Sequence, residues 1–253
     1  MVIVAIPAYD EEDAIGALLD DMAVAMSEAG LGFRALVVDD GSADATAAIV
    51  EDRARTLPVR LIRHERNQGL AAAIRTGLLA AIEEAGPRDI IITMDGDNTH
   101  PSGLMLRMVR TIREGCDVVI ASRYRPGSQV VGVPGFRKLL SWGASVIFRL
   151  TFPIPGVRDY TCGYRAYRAE LLERTARELG DRLITEGGFA CMVELLLRMR
   201  QMGAVMAEVP MILRYDQKSG PSKMNVRQTV AQTLRLLARE RLGLGPRSGT
   251  SAP

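Results

Sequence analysis

The sequence is short of cysteine, short of aromatics and without a long apolar run, and each shortage closes off a class of function. Its 253 residues hold three cysteines, Cys116, Cys162 and Cys191, none in C-x-x-C spacing. Neither a structural zinc site nor a disulfide scaffold is supported, and a reducing compartment is the expected setting. Aromatic residues are 5% of the chain and do not interleave with basic ones, so stacking on bases, and with it a nucleic-acid partner, is not expected. The longest weakly polar run, LLSWGASVIF over 139–148, falls well short of the roughly 20 residues that cross a bilayer core. The opening MVIVAIPAYDEED carries no basic leader and no cleavable apolar stretch, so no secretory signal is expected.

What is present reads as a globular protein. Hydrophobic residues are 47% and charged residues 25%, ordinary values for a packed domain. The net charge of +2 conceals a division: residues 1–100 hold 18 acids and 8 bases, the remainder 12 acids and 24 bases. That asymmetry predicts an acidic or metal-binding front and an anion-facing rear.

Short β-branched runs at 2–8, 34–40, 59–64, 89–95 and 117–123 alternate with Ala- and Leu-rich stretches at 11–29, 43–56, 69–85 and 102–115. The alternation predicts an α/β fold, a mainly parallel sheet flanked by helices. Beyond residue 124 the expected order is a loop (125–135), an apolar helix (136–152), a second loop (153–164) and helices at 167–179 and 188–202. A strand (208–215), a basic C-terminal helix (223–242) and a disordered tail (243–253) complete it. The expected division is a catalytic domain over 1–222 with the helix as an appendage.

Sites on such sheets collect at the carboxyl ends of the strands. Strand 1 runs into PAYDEED (7–13) instead of a Gly-rich turn, which speaks against a dinucleotide cofactor. Asp10, Glu12 and Asp13 read equally well as acids at a helix N-terminus. Strand 2 ends in DDGSAD (39–44), where capping accounts for Ser42 and Asp44 but not for the adjacent Asp39 and Asp40. Strand 4 ends in MDGDNTHP (94–101). Asp95 and Asp97 point the same way along an extended segment, with Gly96 leaving room for a ligand between them. Such a pair suits Mg²⁺ or Mn²⁺ completed by water and substrate phosphates. His100, before Pro101, reads as structural, and His64 as an end-of-strand residue without a role.

IPAYDEED, VVDDGSAD, RNQGLAAAIRTGL and MDGDNTHP, in that order, resemble the inverting GT-A nucleotide-sugar transferases of glycosyltransferase family 2. ASRY (121–124), RDYTCGYRAYR (158–168) and GPSK (220–223) are similar to its dolichol- or polyprenyl-phosphate mannosyltransferase branch, and the resemblance runs to about residue 225. It implies that Pro7, Tyr9 and Glu11 line the nucleoside pocket, with Val38, Asp39 and Asp40 beside the base and ribose. Asp95, Gly96 and Asp97 would hold the metal and the sugar diphosphate; Arg123 and Lys223 would face phosphates. Arg137 and Lys138 would meet the acceptor phosphate, and Tyr160, Thr161, Gly163 and Tyr164 would form an acceptor-side loop. The chain departs from the pattern in carrying Thr99 where relatives place a metal-contacting Gln, and Gln217 and Lys218 where they place an Arg.

The implied reaction is metal-dependent transfer of a hexose, mannose from GDP-mannose, onto polyprenyl phosphate by a peripheral protein at the cytoplasmic membrane face. A phosphate acceptor has a second pKa of ~6 and needs no general base. The rivals are transfer to a hydroxyl, with Glu186 or Glu194 as base, and a non-catalytic nucleotide-sugar-binding module. The helix over 136–152, with Trp142, Ile147, Phe148 and Leu150, reads as either buried or membrane-facing.

Overall fold

The computed structural model describes residues 1–217, except the side chains of Arg137, Leu139, Leu140 and Gln217. The expected helix over 223–242, the tail over 243–253 and Lys223 lie outside the described residues.

The first half alternates as its sequence pattern demands. Strands β1 (Val2–Ala8), β2 (Phe33–Asp39), β3 (Val59–Arg63) and β4 (Ile90–Thr93) are separated by helices α1 (Ile15–Glu28), α2 (Thr46–Arg53) and α3 (Leu70–Glu84). β1 is buried along nearly its whole length, the condition of a central strand covered on both faces. In α1 the buried residues include Ile15, Leu18, Leu19, Met22 and Met26, one stripe at helical spacing. α4 (Leu104–Arg113) and β5 (Val118–Ser122) continue the alternation.

The second half departs from the expectation. β6 (Gln129–Val131) and α5 (Gly135–Thr151) lead to β7 (Arg165–Arg168), α6 (Ala169–Leu179), α7 (Ala190–Gln201), β8 (Met206–Pro210) and β9 (Ile212–Arg214). Among the described residues one sheet runs β3-β2-β1-β4-β7-β5-β8, and β6 pairs with β9 in a ribbon. β7 is antiparallel to both β4 and β5. The sequence pattern places a loop and a helix start over this strand, because Arg165 and Arg168 mask it. Arg165 is fully buried and donates to the carbonyls of Met192 and Tyr160, each at 2.6 Å. The single strand expected at 208–215 is two: Pro210 pairs with Ser122 in the main sheet, Met211 donates back to the Ser122 carbonyl, and the chain then passes to the ribbon. Pro210 has no N–H to continue a ladder.

β1 has β2 on one side and β4 on the other, both parallel to it. Successive crossovers leave β1 in opposite directions, and a crevice opens there at the strands' carboxyl ends. Asp40 donates its amide to the Ala8 carbonyl at 2.8 Å and Met94 donates to Ala5 at 3.2 Å. These bonds bring the turns after β1, β2 and β4 to one edge.

Candidate active site

A cleft of about 360 Å³ occupies that edge, lined among others by Pro7, Tyr9, Glu11, Asp40, Asp95, Gly96 and Asp97. Ala8 lines it too, and so do Asn67, Gly69, Leu70, Ala73 and Phe189. Motif reading singled out none of the last five, although four fall within the quoted RNQGLAAAIRTGL.

Asp40 is buried, and the turn before α3 holds its carboxylate: Gln68 N–H donates to Oδ1 at 2.9 Å and Gly69 N–H to Oδ2 at 2.7 Å. His64, expected to have no role, has Nδ1 2.7 Å from Asp40 Oδ1 and Nε2 3.0 Å from Thr76 Oγ1. Asp39 and Val38 are fully buried and outside the lining residues. Asp39 Oδ1 accepts the Ser42 amide at 2.9 Å, and its other oxygen lies 3.2 Å from Arg63 Nε. Asp10 and Glu12 do not cap their own helix. They accept the amides of Ala43 and Ala45, each at 2.9 Å, and so tie the first turn to the second.

Asp97 Oδ1 accepts the Thr99 hydroxyl at 2.7 Å and the Thr99 amide at 3.2 Å. Thr99, which replaces the relatives' Gln, therefore orients the second carboxylate of the pair. His100 is buried, stacks on Tyr164 with centroids 5.0 Å apart, and accepts the Asp95 amide on Nδ1 at 3.4 Å. Its Nε2 lies 3.8 Å from Asp95 Oδ2. Gly96 and Gly163 both matter to the setting of the carboxylates. A side chain at Gly96 would meet the Pro7 carbonyl at 3.0 Å, so this glycine, itself part of the cleft lining, also lets the turn lie close against β1. A side chain at Gly163 would stand 3.1 Å from Asp95 Oδ1, so β7 arrives with a gap that accommodates this carboxylate.

Arg123 is not the uncommitted cation that the sequence suggests. Its Nε and Nη2 donate to the two oxygens of Asp159 at 2.8 and 2.7 Å, and Nη2 also donates to Thr161 Oγ1 at 2.7 Å. Asp159 is fully buried. Burial alone would raise its pKa, but the charge and hydrogen bonds of Arg123 hold it below the ordinary carboxylate value. Burial would likewise lower Arg123, and Asp159 raises it instead. Sequence reasoning missed Asp159; the signal was an acid beside the Tyr-Thr-Cys-Gly turn.

Tyr160 and Tyr164 anchor their loop from within. Both are buried, Tyr160 donating to the Phe152 carbonyl at 2.6 Å and Tyr164 to Pro101 at 3.1 Å. Lys138 donates to the Val130 carbonyl at 2.7 Å. Glu194, a rival base, is buried. Its oxygens accept the amides of Thr185 and Glu186 at 2.7 and 2.8 Å, the Thr185 hydroxyl at 2.6 Å and Arg198 Nη2 at 3.2 Å. Glu186 is half-buried in the segment leading to Phe189.

α5 settles the environment of its apolar face. Phe148 is buried, whereas Phe136, Trp142, Ile147 and Leu150 are 71%, 56%, 50% and 79% exposed. No helix among the described residues is long and apolar enough to cross a membrane.

The order of strands, the antiparallel β7 and the acidic cleft define a GT-A fold. Glucosyl-3-phosphoglycerate synthase from Mycobacterium tuberculosis, solved with Mn²⁺ and UDP-glucose, superposes with a TM-score of 0.66, covering 98% of this chain and 81% of that one at 21% identity. Residues 3–175 match the family described as Glycosyl transferase family 2, and the chain belongs to that family. It is 32% identical over 225 residues to the undecaprenyl-phosphate mannosyltransferase of Micrococcus luteus, which covers 88% of this chain and 87% of that protein. It is 31% identical over 196 residues to the dolichol-phosphate mannosyltransferase of Pyrococcus furiosus, spanning 77% of this chain but about half (52%) of that longer protein.

Proposed function

We propose that the protein transfers a hexose, mannose from GDP-mannose, to polyprenyl phosphate with inversion, in contact with the cytoplasmic face of a membrane. The observation that carries this reading is the placement of carboxylates: those lining the cleft, Glu11, Asp40, Asp95 and Asp97, all follow the donor-side strands β1, β2 and β4. The names of the Micrococcus and Pyrococcus relatives support the same acceptor class.

Asp95 and Asp97 fit a divalent cation. Both are hard oxygen donors on one cleft wall, and two carboxylates with substrate phosphates suffice for Mg²⁺ or Mn²⁺. When bound, that ion neutralises the leaving diphosphate. Asp40, its carboxylate fixed by two amides, offers an immobile acceptor to a nucleoside N–H or hydroxyl near Pro7, Tyr9 and Glu11. Thr99 and His100 orient Asp97 and Asp95, and Asp159 fixes Arg123 with its Nη1 edge left for a phosphate. A phosphate acceptor is mostly dianionic at neutral pH and attacks without a base. Glu194 is already committed to amides and Arg198, which weakens the hydroxyl-acceptor rival. Arg137 and Lys223 retain their proposed phosphate-facing roles. Membrane contact is supported by the exposed apolar side chains of α5.

The test is incubation with Mg²⁺ or Mn²⁺, short-chain polyprenyl phosphate and a panel of GDP-, UDP- and dTDP-hexoses, with products read by mass. A lipid-phosphate mannose formed from GDP-mannose is the expected product. Donor binding with no lipid product would overturn the acceptor assignment and direct attention to Glu186.

A further inference from the structure

A second cavity, about 520 Å³, lies between the end of α5 and the loop that follows it. Its volume falls within the ~300–1,000 Å³ usual for small-molecule sites. It shares no lining residue with the carboxylate cleft. Three arginines, Arg125, Arg149 and Arg158, line it without any carboxylate. Arg125 and Arg149 are exposed, and their side chains have no hydrogen-bond or ion-pair partner among the described residues. Arg158 is half-buried and reaches only the Tyr124 carbonyl, at 3.5 Å. The remaining wall is largely apolar, including Val146, Leu150 and Ile154.

Three guanidiniums concentrated on an apolar pocket match a phosphate carried on a hydrocarbon tail. Leu150 belongs both to the pocket lining and to the exposed apolar face of α5. The pocket is thus continuous with the surface that carries Trp142 and Ile147. We propose that it is a headgroup site for an anionic phospholipid: the arginines take the phosphate, and Val146, Leu150 and Ile154 take the first acyl segment. This deepens the membrane-contact reading above and rests on it. It also adds selectivity for anionic lipid at a place separate from the donor cleft.

The site is built on the loop that positions Arg123. The Arg158 and Asp159 amides both donate to Glu208 Oε1 at 2.6 Å, and the next group along, the Asp159 carboxylate, holds Arg123. A lipid on Arg158 would therefore rest against a segment whose backbone is already fixed.

The experiment is co-sedimentation of the full chain with vesicles of phosphatidylcholine alone and of phosphatidylcholine with phosphatidylglycerol. The expected result is preferential binding to the anionic vesicles. In the R125Q/R149Q variant that preference should fall roughly 30-fold, from about 1 kcal/mol per basic side chain at an anionic surface. R107Q/R113Q removes the same charge from exposed positions on α4 and should leave most of the preference. Equal losses in the two variants would overturn the pocket in favour of general charge attraction. Binding to both vesicle types without preference would overturn the pocket while keeping the membrane contact; binding to neither would overturn both. Full displacement from vesicles by excess soluble glycerol phosphate would overturn the lipid assignment and leave a free-phosphate site. A thermal unfolding midpoint unchanged in R125Q/R149Q makes its result a statement about binding, and R158Q with the same lipid readout gives an independent check.

Discussion

The front and rear of the molecule hold their charges by different means. In the turns of the front, carboxylates are held largely by backbone amides: Asp10 takes the amide of Ala43, Glu12 that of Ala45, and Asp40 those of Gln68 and Gly69, while Asp39 takes the Ser42 amide and also lies 3.2 Å from Arg63. An amide fills a carboxylate's lone pairs without cancelling its charge. In the rear, arginines meet full counter-charges. Arg123 is paired with Asp159, Arg168 with Asp117 and Arg198 with Glu194. Counting side chains therefore overstates the positive charge that the rear presents to an anion. Arg125 and Arg149 are exposed and enter no such pair among the described residues.

The largest effect should come from breaking a rear pair. Asp159→Asn leaves Arg123 facing a neutral amide and should cost about 3–5 kcal/mol in urea unfolding, whereas Arg123→Met with Asp159→Leu should recover much of that loss. The pH response follows from the lowered pKa of Asp159. Its contribution is complete above the ordinary carboxylate range and is lost as pH falls through the lowered value, so wild-type stability should drop more steeply in acid than that of D159N. Next, Asp97→Ala should reduce transfer by about 10²–10³-fold while the chain stays folded, as read by its melting temperature. A near-normal rate in that variant would remove the metal assignment. Thr99→Val deletes the hydroxyl that orients Asp97 and should weaken Mn²⁺-dependent donor binding, read by calorimetry, about 10-fold. The smallest effect belongs to His64→Phe. Asp40 keeps both amides, and donor affinity should fall by only about five-fold, one hydrogen bond's worth.

The front was more legible than the rear because its carboxylates sit in short turns after strands, and PAYDEED, DDGSAD and MDGDNTHP display them, although the amides that hold Asp10, Glu12 and Asp40 come from 28 to 33 positions away. In the rear, Glu194 and Arg198 stand one helical turn apart, but Arg123 and Asp159 are 36 positions apart and Asp117 and Arg168 51 apart. No periodicity announces those two distant pairs. β7 was hidden because Arg165, its inward-facing charge, reads as surface until the Met192 and Tyr160 carbonyls are seen around it. Thr99 read only as a departure at a metal-contacting position, and its hydroxyl in fact reaches Asp97. The mixed surroundings of α5 were likewise invisible, since its apolar residues face both core and solvent.

The antiparallel strand between β4 and β5 also sets an order of assembly. During synthesis β5 emerges before β7, yet β5 has no direct place beside β4, because β7 occupies it. β1 to β4 can pair among themselves as they appear, so the donor half has the contacts to organise early. β5 must wait with its edges unpaired until residues 165–168 and then 206–210 arrive to flank it. Non-local pairing of this kind is the slow part of folding, and open edges are where chains associate wrongly. The strand that follows Asp159 and Gly163 is thus also the one whose arrival first closes these open edges, and β8 closes the last edge of β5.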